Sequence, residues 1–232
     1  GDISIVHNTA QIDANKQADR LSVVLAVENS IALEQSLYAL DALYELGVRT
    51  MTITHSARNE AADGCEVVGG GGLTGFGRQV VARMNELGML VDVSHLNDKS
   101  FWDVLDASEK PVIASHSCCR SLCDNPRNLT DDQLRALGES GGVVAITYVP
   151  FFVDTQAPTI DGLIDHFLHA IDTAGPSSVG LGSDFDGGGD LLEDATQVPQ
   201  ITDLLLARGV DADVVRAILG GNTRRLLQAT ID

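Results

Sequence analysis

The sequence lacks long apolar runs, has few aromatic residues and carries little positive charge. None of its apolar runs approaches eighteen residues, and the first thirty positions lack the basic and then apolar pattern of a signal peptide. We therefore expect neither a transmembrane segment nor a secretory leader. The 15 basic residues stand against 33 acidic ones, for a net charge of −18. Because such a charge repels phosphate backbones and anionic membranes, nucleic-acid binding is not expected.

Cysteine is also scarce. Three of the four cysteines cluster at Cys118, Cys119 and Cys123. This spacing is typical of neither a disulfide framework nor a C-x-x-C metal motif, and it suits a reducing compartment. We therefore expect a cytoplasmic location, although this expectation does not extend to residues upstream of Gly1, since the sequence does not begin with methionine. Cys118 is not expected to act as a nucleophile, because no recognisable feature lowers its pKa.

What the chain does have is a regular alternation of short apolar runs and helical patterns. From Leu21 onward six such units follow one another, which indicates parallel strands joined by crossover helices. The chain has 232 residues, of which 44% are apolar, and this is enough for one barrel domain. The six predicted strands cover residues 21–28, 48–55, 89–95, 111–116, 142–149 and 178–184.

These units predict an α/β fold, a (β/α) TIM-type barrel that forms a single domain over residues 1–232. Six of eight βα units are too few to close a conventional barrel, so the chain is either an N-terminally truncated barrel or an open sheet in its own right. The apolar run Ile3 to Val6, ahead of the first unit, is either a helix tail or a strand remnant. Thr130 and Gln133 predict a capping box at the start of one helix, and a second helix is predicted over residues 160–174.

Four of the predicted strands lead to residues of the types that bind metal ions. These residues are Glu28, His95, His116 and Asp184. Because the C-terminal strand ends of a (β/α) barrel converge on one face, we expect the four side chains to meet there. A single buried histidine is more often a core residue, but four polar side chains used only for packing would each cost some kcal/mol of desolvation. Carboxylates and imidazoles suit zinc or a similar divalent ion, so a metallohydrolase is predicted.

Several segments also match a known family. They are LAVENS, GVRTMTITHS, GLTGFGRQVVARMNELGMLVDVSH, KPVIASHS, PRN and GLGSDFDG, in this order from about Ser22 to the C-terminus. The chain thereby resembles the zinc dipeptidases typified by membrane (renal) dipeptidase and their bacterial relatives. The resemblance implies a (β/α) barrel with two zinc ions bridged by a glutamate, in which metal-activated water cleaves the peptide bond of a dipeptide.

The resemblance also implies roles for individual residues. It places the bridging role on Glu28, while His95 and His116 complete the site of one ion and Asp184 binds the other. His55 would lie beside the substrate carbonyl, where an imidazole stabilises the oxyanion that develops on attack. His55 and Asp184 are therefore the expected catalytic residues.

Two further residues are expected to bind the substrate. The resemblance places Arg127 on the carboxylate of the substrate's C-terminal residue, which a guanidinium clamps with two parallel hydrogen bonds. Phe151 and Phe152 follow the fifth predicted strand, and for Phe152 a place in the substrate pocket and a place in the core both stay open.

One departure from the family pattern changes the expected metal content. The family begins with a His-x-Asp pair that supplies two ligands, and no His-x-Asp occurs in this sequence. One ion would keep only Glu28 and Asp184, whereas the other would keep Glu28, His95 and His116 with an open position for water. One zinc ion or none is therefore expected. The alternative function is a catalytically silent barrel fragment that retains at most one metal site.

A shortened barrel also leaves strand edges and apolar surface uncovered. We therefore expect the chain to form a homo-oligomer through those edges or that surface. Among the remaining signals, Gly69 to Gly72 is interpreted as a flexible connector, because no nucleotide-binding motif follows it. Asp186 is either a second carboxylate that orients a histidine or a turn residue. His166 and His169 are predicted to lie on a solvated helix face.

Overall fold

Parallel strands alternate with helices along the whole computed structural model, which describes residues 2–189 and 191–232. The chain divides into two units, one formed by residues up to Val112 together with Arg224–Asp232 and the other by Ile113–Thr223. The strands are β1 (Ile3–Ile5), β2 (Leu21–Val23), β3 (Leu25–Glu28), β4 (Val48–Thr52), β5 (Leu90–Asp92), β6 (Ile113–Ser117), β7 (Val143–Ile146) and β8 (Val179–Leu181).

Helices occupy the connections between these strands and the C-terminal part of the chain. They are α1 (Thr9–Gln17), α2 (Leu37–Glu45), α3 (Gly75–Leu87), α4 (Asp98–Ala107), α5 (Asp131–Glu139), α6 (Pro150–Val153), α7 (Ile160–Ala174), α8 (Pro199–Ala207), α9 (Ala212–Arg216) and α10 (Asn222–Ile231). Short 3₁₀ turns cover Ser30–Leu33 and Pro176–Ser178, and a π-type turn at Ala217–Gly221 precedes α10.

The first unit contains two sets of parallel strands. β1 pairs with β2, so that Ile3 lies opposite Leu21, and β3, β4 and β5 pair in chain order. β4 and β5 carry mostly buried side chains, since α2, α3 and α4 connect or follow them. By contrast, β1 and β2 expose every second residue.

The second unit is built around β6, β7 and β8, which also pair in parallel and in chain order. Every residue of β7 is buried, as expected for a strand whose two faces are both covered. α7 contributes a buried stripe that includes Leu163, Ile164 and Phe167. Its bounds are those predicted from the sequence.

The N-terminal segment settles a point that the sequence pattern leaves open. Residues Ile3–Ile5 of this run form β1, and α1 follows it, so a further βα unit precedes the six that start at Leu21. The strand predicted over 21–28 is interrupted at Val24, which separates β2 from β3. A three-residue strand shows too little alternation to be recognised by its periodicity.

The predicted capping box opens α5. The Thr130 hydroxyl accepts a hydrogen bond from the backbone N–H of Gln133 (3.3 Å), and the Gln133 side chain accepts one from the backbone N–H of Thr130 (2.8 Å). Two N–H groups that the first turn of a helix leaves without partners are thereby bonded.

The predicted solvated position of His166 is wrong, because this side chain is only 1% exposed. Its Nδ1 accepts a hydrogen bond from the backbone N–H of Cys119 (3.0 Å), and its Nε2 donates to the carbonyl of Val153 (2.9 Å). These two bonds compensate for burial and fix a neutral ring with its proton on Nε2. His169 is half-buried rather than solvated, and its Nε2 bonds to the Asp131 carboxylate at 2.8 Å.

Candidate active site

A carboxylate and an imidazole face each other in the first unit. Glu28 is the last residue of β3, and His95 lies three residues beyond the end of β5. The Nε2 atom of His95 is 3.0 Å from Oε1 of Glu28. His95 is 8% exposed, whereas the Glu28 side chain is about half exposed at 48%. The two parallel strands thus bring two of the predicted ligands into contact at one edge.

The backbone around these side chains adopts uncommon conformations. His95 has a φ of 69° and Asn29, directly after Glu28, has a φ of 94°. Residues other than glycine rarely adopt positive φ values, and they do so mostly where the surrounding structure compensates and where function requires it. The positive φ values therefore mark both strand ends that carry the Glu28 and His95 pair.

Asp92, the last residue of β5, supports the backbone that leads to His95. It is 4% exposed. One carboxylate oxygen accepts a hydrogen bond from the backbone N–H of Ser94 (2.9 Å), and the other accepts one from the Thr52 hydroxyl on β4 (2.9 Å). The carboxylate thereby ties the end of β4 to the turn that carries His95.

His55 lies beside the same pair. It follows β4 by three residues and is exposed. Its ring stacks on that of His95, with the ring centroids 4.2 Å apart and the planes at 30°. Glu28, His55 and His95 thus lie together in the first unit.

In the second unit, His116 lies within β6 rather than beyond its end, since the strand continues to Ser117. Arg127 lies on the loop after β6 and is 5% exposed. Its guanidinium donates to the carbonyl of His116 (2.6 Å) and to the hydroxyl of Ser117 (3.0 Å). The guanidinium carbon is 5.5 Å from the centre of the Phe152 ring. Arg127 and Phe152, the two predicted substrate-binding residues, are therefore neighbours.

Asp184 follows β8 by three residues and is half-buried. Its φ of 59° is again positive. The turn closes with a hydrogen bond from the N–H of Gly187 to the Asp184 carbonyl (2.9 Å). A Cβ atom at position 187 would lie 2.3 Å from the Asp184 carboxylate, so a larger residue there would displace that side chain. Asp186 is exposed in this turn.

Sequence reasoning missed the serines that contact the two histidines. The hydroxyl of Ser56 lies 3.3 Å from Nδ1 of His95, and the hydroxyl of Ser115 lies 2.7 Å from Nδ1 of His116. The spacing of a serine relative to a histidine in the sequence does not indicate that the two side chains are in contact. Both are adjacent to residues that were singled out, Ser56 to His55 and Ser115 to His116, and that adjacency is the only signal available.

The cysteines of the second unit are not candidates for nucleophilic catalysis. Cys118, Cys119 and Cys123 are free and buried. Burial raises the pKa of the Cys118 thiol well above its usual value and raises the pKa of Cys119 to about 12. A buried thiol that stays protonated is a poor nucleophile. Among residues 2–189 and 191–232, no helix is both long and apolar enough to cross a membrane.

Comparison with known proteins extends the resemblance to the whole chain. A model of the membrane dipeptidase family, Peptidase family M19, matches residues 1–232. An uncharacterized dipeptidase of Schizosaccharomyces pombe is 36% identical over 230 residues, which are 94% of this chain and 55% of the yeast protein. Dipeptidase verJ of Clonostachys rogersoniana is 37% identical over 218 residues, covering 92% of this chain and 56% of that protein. The chain thus spans about half the length of these curated relatives.

Solved structures give the same result for the fold. The crystal structure of a metallopeptidase from Rhodobacter sphaeroides, liganded with a phosphinate mimic of the dipeptide L-Ala-D-Ala, superposes with a TM-score of 0.94 at 30% identity. The match covers 99% of this chain and 69% of that one. Together with the parallel strands joined by helices, this likeness confirms the predicted α/β fold of the (β/α) barrel type.

Proposed function

Because the chain belongs to the membrane dipeptidase family, Peptidase family M19, we propose that it is a metal-dependent hydrolase that cleaves the peptide bond of dipeptides. The observation that carries this proposal is the contact between the Glu28 carboxylate and the His95 imidazole. The His55 ring stacks on the ring of His95. A nearly buried imidazole facing a half-exposed carboxylate is an arrangement that a divalent cation stabilises.

The chemistry of the donors fits a metal ion. We propose that Glu28 and His95 of the first unit supply two of its ligands, since they lie 3.0 Å apart, and that His116 supplies the third. One carboxylate and two imidazoles with an open position for water is the usual ligand count of a catalytic zinc. We propose zinc as the ion, and we propose Asp184 as a ligand of a second ion that would share Glu28. With only two protein ligands, that second site is the weaker one.

Other residues of the chain would handle the substrate. A bound divalent ion supplies a nucleophile at neutral pH, since it lowers the pKa of coordinated water from about 15.7 to about 7. His55, which is exposed and held by its stack on His95, would donate a hydrogen bond to the substrate carbonyl. Asp184 is proposed as the second catalytic residue, because its half-buried carboxylate lies beside Gly187 in the turn after β8.

The substrate's C-terminal carboxylate would bind to Arg127. His116 and Ser117 hold the guanidinium in one orientation, and the Phe152 ring lies on one side of it. A guanidinium that is 5% exposed keeps its positive charge in a poorly solvated place, where its attraction for a carboxylate is stronger than in water. Phe152 would then contact the side chain next to that carboxylate.

Metal content and turnover test the proposal together. The chain would be stripped with a chelator and loaded with Zn²⁺ or Mn²⁺. Bound metal would then be counted by elemental analysis, and hydrolysis of L-Ala-L-Ala and L-Ala-D-Ala would be followed by amine release. We expect at least one bound ion and measurable turnover. The substitution Glu28→Gln removes a ligand charge at constant shape, so it should leave less than one bound ion per chain and lower turnover by about 100-fold.

Glu139→Gln, at the exposed end of α5, is the matched control and should change neither readout. Zero or one bound ion with no turnover of either dipeptide in the wild-type chain would instead favour the catalytically silent form. Two tightly bound ions would favour an enzyme in which other residues replace the absent His-x-Asp pair.

We further propose that the chain self-associates through the exposed apolar face of β1 and β2. The side chains that form it are Ile3 (62% exposed), Ile5 (55%), Leu21 (67%) and Val23 (38%). They are cross-strand neighbours in register, so they form one continuous patch. A cytoplasmic location is also proposed, and the free thiols of Cys118, Cys119 and Cys123 support it.

A further inference from the structure

We propose that Ser56 and Ser115 are positioning residues that hold the imidazoles of His95 and His116 with Nε2 presented to the metal ion. The inference rests on the proposed function for the identity of the ion, but the contacts themselves do not depend on it. In each case a serine hydroxyl lies against Nδ1, at 3.3 Å for His95 and at 2.7 Å for His116. The same device therefore occurs twice, once in each unit of the chain.

The Ser56 hydroxyl is held in place by its surroundings. The Ser56 carbonyl accepts a hydrogen bond from the N–H of Glu66 (3.0 Å), and the His95 carbonyl accepts one from Cys65 (2.7 Å). Gly64 packs so closely that a Cβ there would lie 2.2 Å from the His55 carbonyl and 2.5 Å from the Ser56 backbone. The loop after β4 and the turn that carries His95 are thus tied to the same short segment, which limits motion of the hydroxyl relative to the ring.

The contact of Ser56 with Nδ1 of His95 means that both ring nitrogens have a partner, which fixes the orientation of the ring. Its other nitrogen, Nε2, lies 3.0 Å from the Glu28 carboxylate. In the proposed function the Glu28 carboxylate and Nε2 of His95 are both ligands of the ion. The hydroxyl therefore occupies the nitrogen that does not bind metal.

The contact between Ser115 and His116 requires an irregular strand. Consecutive side chains of a regular strand point to opposite faces, so neighbours do not meet. The pairing of β6 with β7 shifts register between Ala114 and Ser117, which places Ser115 and His116 in a bulge. A bulge re-aims side chains, and here it brings adjacent residues within 2.7 Å. Gly182 fixes the bulge from the other side, since a Cβ there would lie 2.4 Å from the Ser115 carbonyl.

The chemistry of imidazole explains why such a contact matters. A neutral ring carries one proton, and the nitrogen without it binds the metal. If the serine oxygen accepts from Nδ1–H, the lone pair stays on Nε2, which is the arrangement that metal-binding histidines commonly show with carboxylate or carbonyl partners. A hydroxyl is uncharged, so these two histidines would be oriented without added negative charge at the site.

His166 serves as an internal reference for the tautomers. Its Nδ1 accepts from the N–H of Cys119 and its Nε2 donates to Val153, so it carries its proton on Nε2. In the metal-free chain His116 is expected to carry its proton on Nδ1. His95 is expected to donate from Nε2–H to the Glu28 carboxylate (3.0 Å) and to carry its proton on Nδ1 once a metal ion binds Nε2. Long-range ¹H–¹⁵N NMR of the metal-free chain distinguishes the two tautomers, and the sequence contains only six histidines.

The experiment compares Ser56→Ala, Ser115→Ala and the double variant with the wild-type chain. We expect Ser115→Ala to remove the Nδ1–H preference of His116 in the metal-free chain and to leave the tautomer of His166 unchanged. For Ser56→Ala the readout is zinc affinity. Zinc affinity, measured by competition with a chromogenic chelator, should fall about 10-fold to 100-fold for each. Ser56→Thr and Ser115→Thr keep the hydroxyl and should restore both readouts. Ser108→Ala, which removes a half-buried hydroxyl bonded to the Lys110 carbonyl, is the control and should change neither.

The inference is overturned if Ser115→Ala keeps the wild-type tautomer of His116, or if the alanine variants bind zinc as the wild type does. A loss of affinity that threonine does not rescue would also overturn it, because the hydroxyl would then not be the cause. A wild-type chain that takes up no zinc contradicts the proposed function instead. In that case a serine-dependent Nδ1–H tautomer at His116 would still support the positioning role of Ser115.

Discussion

At the scale of single residues, Asp92 joins the core to the proposed site. Its carboxylate accepts from the Thr52 hydroxyl and from the N–H of Ser94, and it is almost completely buried. Asp92→Asn would turn an amide N–H₂ toward one of these donors. We expect the free energy of unfolding to fall by about 1–3 kcal/mol, which is the usual effect of leaving a buried polar group without its partner. Urea unfolding of the metal-free chain measures it.

The exposed Asp203 on α8 provides the control. Asp203→Asn should leave the urea midpoint within experimental error, since its carboxylate is solvated. Equal midpoints for Asp92→Asn and the wild type would show that the carboxylate contributes little to the turn that leads to His95.

Residue types and their positions at strand ends were enough to predict that two of the proposed ligands lie together. Glu28 and His95 follow apolar runs, and the structure brings them into contact. Ser56 and Ser115 could not be found this way, because a serine hydroxyl has no characteristic spacing. His166 was assigned to the wrong face because its two partners, Cys119 after β6 and Val153 at the end of α6, make burial favourable in a way that helical periodicity does not report.

At the scale of elements, the capping box of α5 should contribute measurably to stability. Thr130→Ala removes the acceptor for the N–H of Gln133, and we expect the free energy of unfolding to fall by about 1 kcal/mol. Thr130→Ser keeps the hydroxyl and should stay close to the wild type. If alanine and serine gave the same urea midpoint, the cap would not stabilise the helix in this context.

α7 should make stability depend on pH through His166. Burial lowers the pKa of His166 in the folded chain by more than the hydrogen bond to the Val153 carbonyl and the carboxylates of Asp165 and Asp154 raise it, and His169 lowers it further. The unfolded state, with a histidine pKa of about 6.5, therefore binds more protons in acid. The contribution is present above that pH and is lost as the pH falls below it.

Urea unfolding between pH 5 and pH 8 measures this dependence. The wild type should lose stability toward pH 5, and His166→Gln should show a shallower slope while being less stable at pH 8. An unchanged slope in the variant would mean that other groups cause the acid sensitivity.

Element boundaries were predicted unevenly for a physical reason. α7 was predicted at both ends, because its long apolar stripe and its flanking Thr159 and Gly175 leave little choice. The strands were predicted too long, since apolar residues continue past the last ladder bond into turns such as the one at His95. β1 is too short to show alternation at all.

At the scale of the whole molecule, the apolar face of β1 and β2 should govern self-association. We expect light scattering after size exclusion to give a mass above that of one chain, with the mass rising with concentration. Ile5→Lys with Leu21→Lys places two charges in the patch and should shift the mass toward that of a single chain.

Leu46→Lys is the matched control, because Leu46 is 75% exposed at the end of α2 and outside the patch. It should leave the mass unchanged. A wild-type chain with the mass of one copy at all concentrations would contradict the proposed association.

The fold and the family of the protein could be predicted from the sequence, whereas the number of metal ions that it binds could not. Alternating strands and helices and the ordered motifs suffice for the α/β fold and the family. The number of ions depends on whether Asp184 and Glu28 acquire further ligands, which no spacing within this chain reports.

The left-handed backbone at His95 and Asp184 bears on how the protein would respond to laboratory evolution. A side chain other than glycine in this conformation costs roughly 1–2 kcal/mol. At position 184 the side chain is half-buried, so glycine there should make the fold more heat-resistant, whereas at position 95 glycine would also remove the buried imidazole that contacts Glu28 and His55. A screen that rewards thermal tolerance alone should therefore enrich glycine at 184. A screen that also demands turnover should keep Asp184, and the difference between the two outcomes would measure what the chemistry requires of the backbone.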